Sequence, residues 1–191
     1  MKLLKDRILK EGKVFPGDIL KIDSFLNHQV DVELMDEIGK EFHNLFKDTN
    51  PTKILTIEAS GIAIACGVSK YFSYCPVVFA KKGKALNMDN DKYVAHAKSY
   101  TRDEVFNVTV AKEFLNENDK VLIIDDFLAN GEATASMFDI CEQAKAEIVG
   151  CGVVVSKTYQ AGEDRIRNKN VHLEILARIK SLENGVIEFE E

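Results

Sequence analysis

The chain has 191 residues, 46% of them hydrophobic and 29% charged, which suits one domain with a sizeable core and an ordinary globular composition. A formal net charge of −6 gives no support for non-specific nucleic-acid binding, which runs on Lys and Arg neutralising phosphates. It leaves room for a small anion held by backbone N–H groups. The opening Met1-Lys2-Leu3-Leu4-Lys5-Asp6 is too charged for a signal peptide, and no apolar run approaches the ~18 residues of a membrane span. A cytoplasmic protein with neither nucleic-acid nor membrane partner is expected.

In chain order, residues 2–11 read as a short amphipathic helix and residues 19–30 as strand or loop. Residues 31–47 read as a helix capped by Asp31, with Leu34, Ile38, Phe42 and Leu45 on one face. Asn50-Pro51 ends it. The period then changes: 53–57 is a β-branched strand, 58–61 a turn, 62–72 a helix and 76–80 a strand. Residues 81–104 are polar and weakly patterned, an insertion of the kind that forms lids. A strand at 105–110 is followed by Val121-Leu122-Ile123-Ile124, an apolar run that suits a strand covered on both faces. A helix at 133–146, a strand at 148–155, a short helix near 163–168 and further strand-like pieces complete the chain. This alternation predicts an α/β fold, a parallel sheet with helices on both faces. Ligands in such sheets bind beyond the carboxyl ends of the strands.

Cys66, Cys75, Cys141 and Cys151 form no CxxC pair and no His clusters near them. Structural zinc is not expected, and four buried, reduced thiols are. His28, His43, His96 and His172 are scattered and read as structural or solvated.

The strongest chemical signal is the stretch from Val121 to Thr134. Four apolar residues end in Asp125-Asp126, then come Phe127-Leu128-Ala129-Asn130-Gly131-Glu132-Ala133 and a helix. Neighbouring strand side chains diverge, so at least one carboxylate should face the crevice, where it can accept hydrogen bonds from vicinal sugar hydroxyls. The loop offers unpaired N–H groups at a helix amino end, a seat for phosphate, with Gly131 allowing close backbone approach. One motif thus supplies a sugar end and a phosphate end. Lys157 closes another apolar strand at its carboxyl end, and Asn27 is a two-way hydrogen-bonding side chain in an apolar stretch.

This motif resembles the phosphoribosyl pyrophosphate (PRPP) signature of type I phosphoribosyltransferases, an apolar strand, an acidic pair and a small-residue loop into a helix. The common loop carries Thr-Gly-Gly-Thr. Here the stretch is Ala-Asn-Gly-Glu-Ala, which looks like the xanthine branch of the family. Three further segments fit in the right order: residues 20–29 (LKIDSFLNHQ), residues 56–63 (TIEASGIA) and Leu176-Ala177-Arg178-Ile179.

The resemblance implies a type I fold over residues 1–191, with a small hood built from about residues 1–30 and the C-terminal segment. It implies transfer of ribose 5-phosphate from PRPP to xanthine, and a homodimer. Ala129, Asn130, Gly131, Glu132 and Ala133 would bind the PRPP 5-phosphate, and Asp125 and Asp126 would face the ribose hydroxyls. Glu58, Ala59, Ser60 and Gly61 would form the pyrophosphate loop. Leu20, Asn27 and Lys157 would contact the base. Mg²⁺ would be bound through PRPP and pyrophosphate oxygens, without direct protein ligands. Residues 81–104, with Lys81, Lys82, Lys84, Lys92, Lys98, Tyr100, Thr101 and Arg102, would be a closing loop. Two readings stay open beside this one: a salvage enzyme for guanine or hypoxanthine, and a non-catalytic PRPP-sensing regulator. The residues ahead of Leu20 are too few for a winged helix, which weakens the second. No GxGxxG follows a strand, which argues against a dinucleotide-binding oxidoreductase.

Overall fold

The computed structural model describes residues 1–83, 91–98 and 105–190. Its centre is an eight-stranded sheet ordered β10-β9-β8-β7-β3-β4-β6-β5. The strands are β3 (Lys53–Ile57), β4 (Val77–Gly83), β5 (Lys92–Lys98), β6 (Val105–Ala111), β7 (Lys120–Leu128), β8 (Glu147–Lys157), β9 (Leu173–Ser181) and β10 (Glu188–Phe189). The five strands β4, β3, β7, β8 and β9 run parallel. Strands β6, β5 and β10 add antiparallel edges. A separate hairpin pairs β1 (Lys13–Phe15) with β2 (Ile19–Lys21).

Strand β7 shows why the sheet is covered on both faces. Leu122 and Ile124 enter one core, with Ile38, Phe42 and Phe46 of α2 (Val32–Phe46) and Ile64 and Val68 of α3 (Ser60–Tyr71). Val121 and Ile123 enter the other, with Met137, Phe138 and Ile140 of α4 (Glu132–Ala144), Ile166 of α5 (Gly162–Arg167), and Val108 and Val110 of β6. The period-2 alternation of a strand explains the split. Helix α1 (Lys2–Glu11) sends Leu4 and Ile8 into the first core. The two ends of the chain meet there: the Met1 ammonium donates to the Leu176 carbonyl at 2.8 Å and Lys5 Nζ to the Glu190 carbonyl at 2.9 Å.

Several expectations change. Residues 81–104 are not one polar insertion: β4 runs on to Gly83 and β5 occupies Lys92–Lys98. Strand β5 went unseen because only Ala95 and Ala97 are buried while Lys92, Val94, His96 and Lys98 face outward. Lys84, Tyr100, Thr101 and Arg102, with the lid assigned to them, lie outside the described residues. Residues 19–30 divide into β2 and a π-helical turn, Asp23–Asn27. Asp31 caps α2, accepting from the Leu34 N–H at 3.1 Å. Leu45, however, is 36% exposed, because Met35 and Phe46 complete the buried stripe in its place. Cys141 and Cys151 are buried and Cys75 is half-buried, but Cys66 is exposed on the outer side of α3. All four are free thiols. No helix among the described residues is long and apolar enough to cross a membrane.

Candidate active site

Strands β3, β7 and β8 are parallel neighbours, so the segments leaving their carboxyl ends stand side by side along one edge of the sheet. Each carries one of the sequence motifs.

At the end of β7 the strand runs through the acidic pair to Leu128, further than the apolar run alone suggests. The two carboxylates stay close together but differ in burial. Asp125 is 2% exposed. It accepts from the Thr134 hydroxyl at 2.8 Å and from the Asp126 N–H at 3.0 Å. Burial, with the Asp126 charge beside it, raises its pKa far above the usual carboxylate range, to about 8. Asp126 is half-buried. Of the two residues expected at the ribose hydroxyls, Asp126 is the less buried. Asp125 is committed to the first turn of α4.

Residues 129–131 then lead into α4. Gly131 stands at the helix cap in the left-handed region, with φ 76 and ψ 16, and no side chain caps the helix. The first-turn N–H groups of α4 therefore point into the space before it. A recess of about 190 Å³ lies there, lined by residues 129–134, Phe127, Lys98 of β5 and Phe106 of β6. The loop has a back wall in α5. The Gly162 N–H donates to the Ala129 carbonyl at 3.0 Å. A Cβ on Gly162 would lie 2.3 Å from that oxygen, and one on Gly131 would lie 3.2 Å from Gly162 Cα. Glu132, the first residue of α4, is ion-paired with Arg165 of α5.

At the end of β3, residues 58–61 turn into α3. The Glu58–Ala59 peptide is cis. The Glu58 N–H donates to the Ala80 carbonyl at 3.0 Å, and its carboxylate accepts from the Lys82 N–H. Gly61 is buried so closely against Thr56 that a Cβ there would lie 2.0 Å from Thr56 Oγ1.

At the end of β8, Lys157 is only 9% exposed, not the solvated strand-end lysine its position could have meant. Its Nζ donates to the Asp18 carbonyl in the β1–β2 turn and lies 5.5 Å from the centre of the Phe127 ring. Burial lowers its pKa, partly countered by the Asp18 charge. Leu20 of β2 is half-buried against the first core. Asn27, at the end of the π-helical turn, is exposed and makes no side-chain hydrogen bond among the described residues. The site thus unites the β7 loop, Phe127 and Lys157 and sets the 58–61 turn beside them, while no interaction of Asn27 ties it to them.

The residues given no role from sequence are Phe127, Phe106, Thr134, Gly162 and Arg165, while Lys98, expected in the closing loop, lines the recess from β5. A hydroxyl nine residues after the buried carboxylate, on the inner face of the following helix, was the one legible hint among them. Among the described residues no group of three or more His, Cys, Asp or Glu side chains is placed to hold a metal ion.

A strand with an acidic pair feeding an uncapped glycine-led helix, at the centre of a mostly parallel sheet, defines a phosphoribosyltransferase. Residues 22–186 match the model of the phosphoribosyl transferase domain, and the chain belongs to that family. Its full-length relatives include xanthine phosphoribosyltransferases. Xanthine phosphoribosyltransferase 2 of Clostridium botulinum is 51% identical over 189 residues, 99% of this chain and 100% of the relative. The xanthine phosphoribosyltransferase of Clostridioides difficile is 49% identical, with the same coverage of each chain. The fold is shared with solved structures of low identity. The APRTase of Giardia lamblia complexed with 9-deazaadenine superposes with a TM-score of 0.78 at 20% identity, covering 93% of this chain and 98% of the other. The adenine phosphoribosyltransferase of Rhodothermus marinus gives 0.75 at 19%, covering 94% and 100%.

Proposed function

We propose that this chain transfers the 5-phosphoribosyl group of PRPP to xanthine, giving xanthosine 5′-monophosphate and pyrophosphate, as a cytoplasmic purine-salvage enzyme. The observation that carries the reading is the pairing, on adjacent strands, of a phosphate-sized recess at an uncapped helix end with a desolvated ammonium at Lys157. Full-length relatives named for xanthine supply the choice of base.

The reaction is a displacement at the anomeric carbon. The base N9 forms a bond to C1′, the bond from C1′ to the pyrophosphate oxygen breaks with its electron pair leaving on pyrophosphate, and the N9 proton passes to the departing pyrophosphate or to solvent. Ala129, Asn130, Gly131, Glu132 and Ala133 hold the 5-phosphate by backbone N–H groups. Asp126 accepts from the ribose hydroxyls, and Asp125, locked by Thr134, positions it. Glu58, Ala59, Ser60 and Gly61 receive the pyrophosphate. Leu20 supplies an apolar contact to the base, Lys157 donates to its 6-oxo group, and Asn27 reads position 2. Residues 1–30 and the C-terminal segment form the hood over this corner. Orientation and exclusion of water lower the barrier, and no covalent nucleophile is needed.

Mg²⁺ would be held through PRPP and pyrophosphate oxygens and would supply charge neutralisation for the departing pyrophosphate. The half-buried Asp126 carboxylate near the end of β7 would meet such an ion only through the ribose hydroxyls it holds, not as a direct ligand. A homodimer completes the proposal. The exposed apolar residues Phe79, Val94, Val105 and Phe114 on the β4–β6 side offer an interface, and sedimentation showing a monomer at micromolar concentration rejects it.

The test is pyrophosphate release from PRPP and Mg²⁺ with xanthine, guanine, hypoxanthine or adenine. Xanthine should give the highest kcat/KM. Higher kcat/KM with guanine or hypoxanthine replaces the substrate assignment, and no release with any base overturns the activity.

A further inference from the structure

The family reading gives Glu132 to the phosphate loop but says nothing of what a carboxylate does there. Glu132 is the first residue of α4, directly after left-handed Gly131, and it lines the recess. A helix amino end attracts any anion. A free Glu132 carboxylate would therefore compete for the same N–H groups as an incoming phosphate and would repel it on arrival. The structure holds this carboxylate elsewhere, on the Arg165 guanidinium. Arg165 is itself well placed. Helix α5 is tied to the loop by the Gly162 N–H at the Ala129 carbonyl, 3.0 Å. It is tied to the sheet through Glu163, which accepts from Ser156 of β8 and lies 3.4 Å from Arg178 Nε of β9. Among the described residues, Lys98 is the cationic side chain that lines the recess itself.

We propose that Arg165 is a positioning residue for PRPP: it draws the Glu132 carboxylate away from the amino end of α4 and leaves that end to the 5-phosphate. This rests on the PRPP-binding reading above. Helix α5 then sets the affinity of the phosphate loop without touching the substrate. Both partners are partly exposed, at 42% and 36% of their side chains, so the effect is moderate and appears in binding rather than turnover.

The experiment is calorimetric titration of PRPP with Mg²⁺ into the wild type, R165A, R165K, E132Q and the R165A/E132Q double variant, beside steady-state kinetics and thermal melts. R165A should weaken PRPP binding about fivefold, leaving kcat and the KM for xanthine within about twofold of wild type. R165K should recover most of the loss. In the E132Q background, R165A should cost less than about twofold, because no carboxylate remains to restrain. A full-sized R165A penalty in that background overturns the proposal, as does unchanged affinity in R165A. A wild type that binds no PRPP instead removes the function reading itself. A wild type that binds PRPP but shows no coupling removes the Arg165 role alone.

Discussion

The Thr134 hydroxyl reaches back from the first turn of α4 to Asp125 in the middle of β7, donating at 2.8 Å to a carboxylate that is 2% exposed. This contact fixes the helix that bounds the recess before α4 against the strand that carries the acidic pair. Its loss leaves a buried carboxyl oxygen without that donor, which costs about 1–3 kcal/mol. Thr134→Val should therefore lower stability by that amount and raise the KM for PRPP, while Thr134→Ser should restore both. Urea unfolding beside steady-state kinetics checks it. An unaltered midpoint and KM in Thr134→Val would mean the contact organises nothing.

Asp125 also makes stability depend on pH. Its folded pKa, about 8, lies above the ordinary ~3.9 of an unfolded aspartate. Between these values the folded state holds a proton that the unfolded state has released. The group's contribution is thus fully present below about pH 4 and is lost as pH rises towards 8. Without PRPP, unfolding free energy measured from pH 5 to 8.5 should carry a downward slope that Asp125→Asn removes. Matching pH profiles for the two proteins would refute it.

Gly131 combines a left-handed backbone, φ 76, with a hypothetical Cβ only 3.2 Å from Gly162 Cα. A branched residue is strained there and pushes the loop off α5. Gly131→Val should weaken PRPP binding at least about tenfold in a protein that still folds. Calorimetry on a variant with wild-type circular dichroism gives the answer, and undiminished affinity would displace the phosphate site.

Lys157 is the test of base choice. Xanthine, guanine and hypoxanthine share a 6-oxo acceptor, whereas adenine presents a donor to the ammonium. An unmatched buried polar group costs about 1–3 kcal/mol, more when charged, so adenine should be poorer in kcat/KM by at least about an order of magnitude. Lys157→Met should lose activity on all three oxopurines. Asn27→Ala should narrow the gap between xanthine and guanine. Full xanthine turnover in Lys157→Met would place the base elsewhere.

The core of the fold and the uncapped loop into α4 were legible because each has a strong local signature. Val121 to Ile124 is apolar without interruption, and the glycine before Glu132 has one reading at a helix start. A difference in burial between Asp125 and Asp126 also fits the strand period, although the two carboxylates stay close together. Which of them turns inward did not follow from it, since that depends on Thr134 arriving from the next helix. Strand β5 was hidden by its outward lysines and histidine. Lys98 and Phe106 reach the recess only because β5 and β6 fold back beside β4, a pairing no local pattern announces. Arg165 and Gly162 lie on a helix of six residues, too short to show a periodic face.

The two halves of the site hang on parts of very different resilience. The acidic pair sits on β7, an interior strand walled by both cores, and such a strand opens only when the whole molecule does. Asp18, the residue that holds Lys157, belongs to a two-stranded ribbon, a unit that is marginal on its own. Mild denaturant should therefore strip the molecule in stages. Discrimination between purines would fade first, while the phosphate seat survives until the sheet itself comes apart.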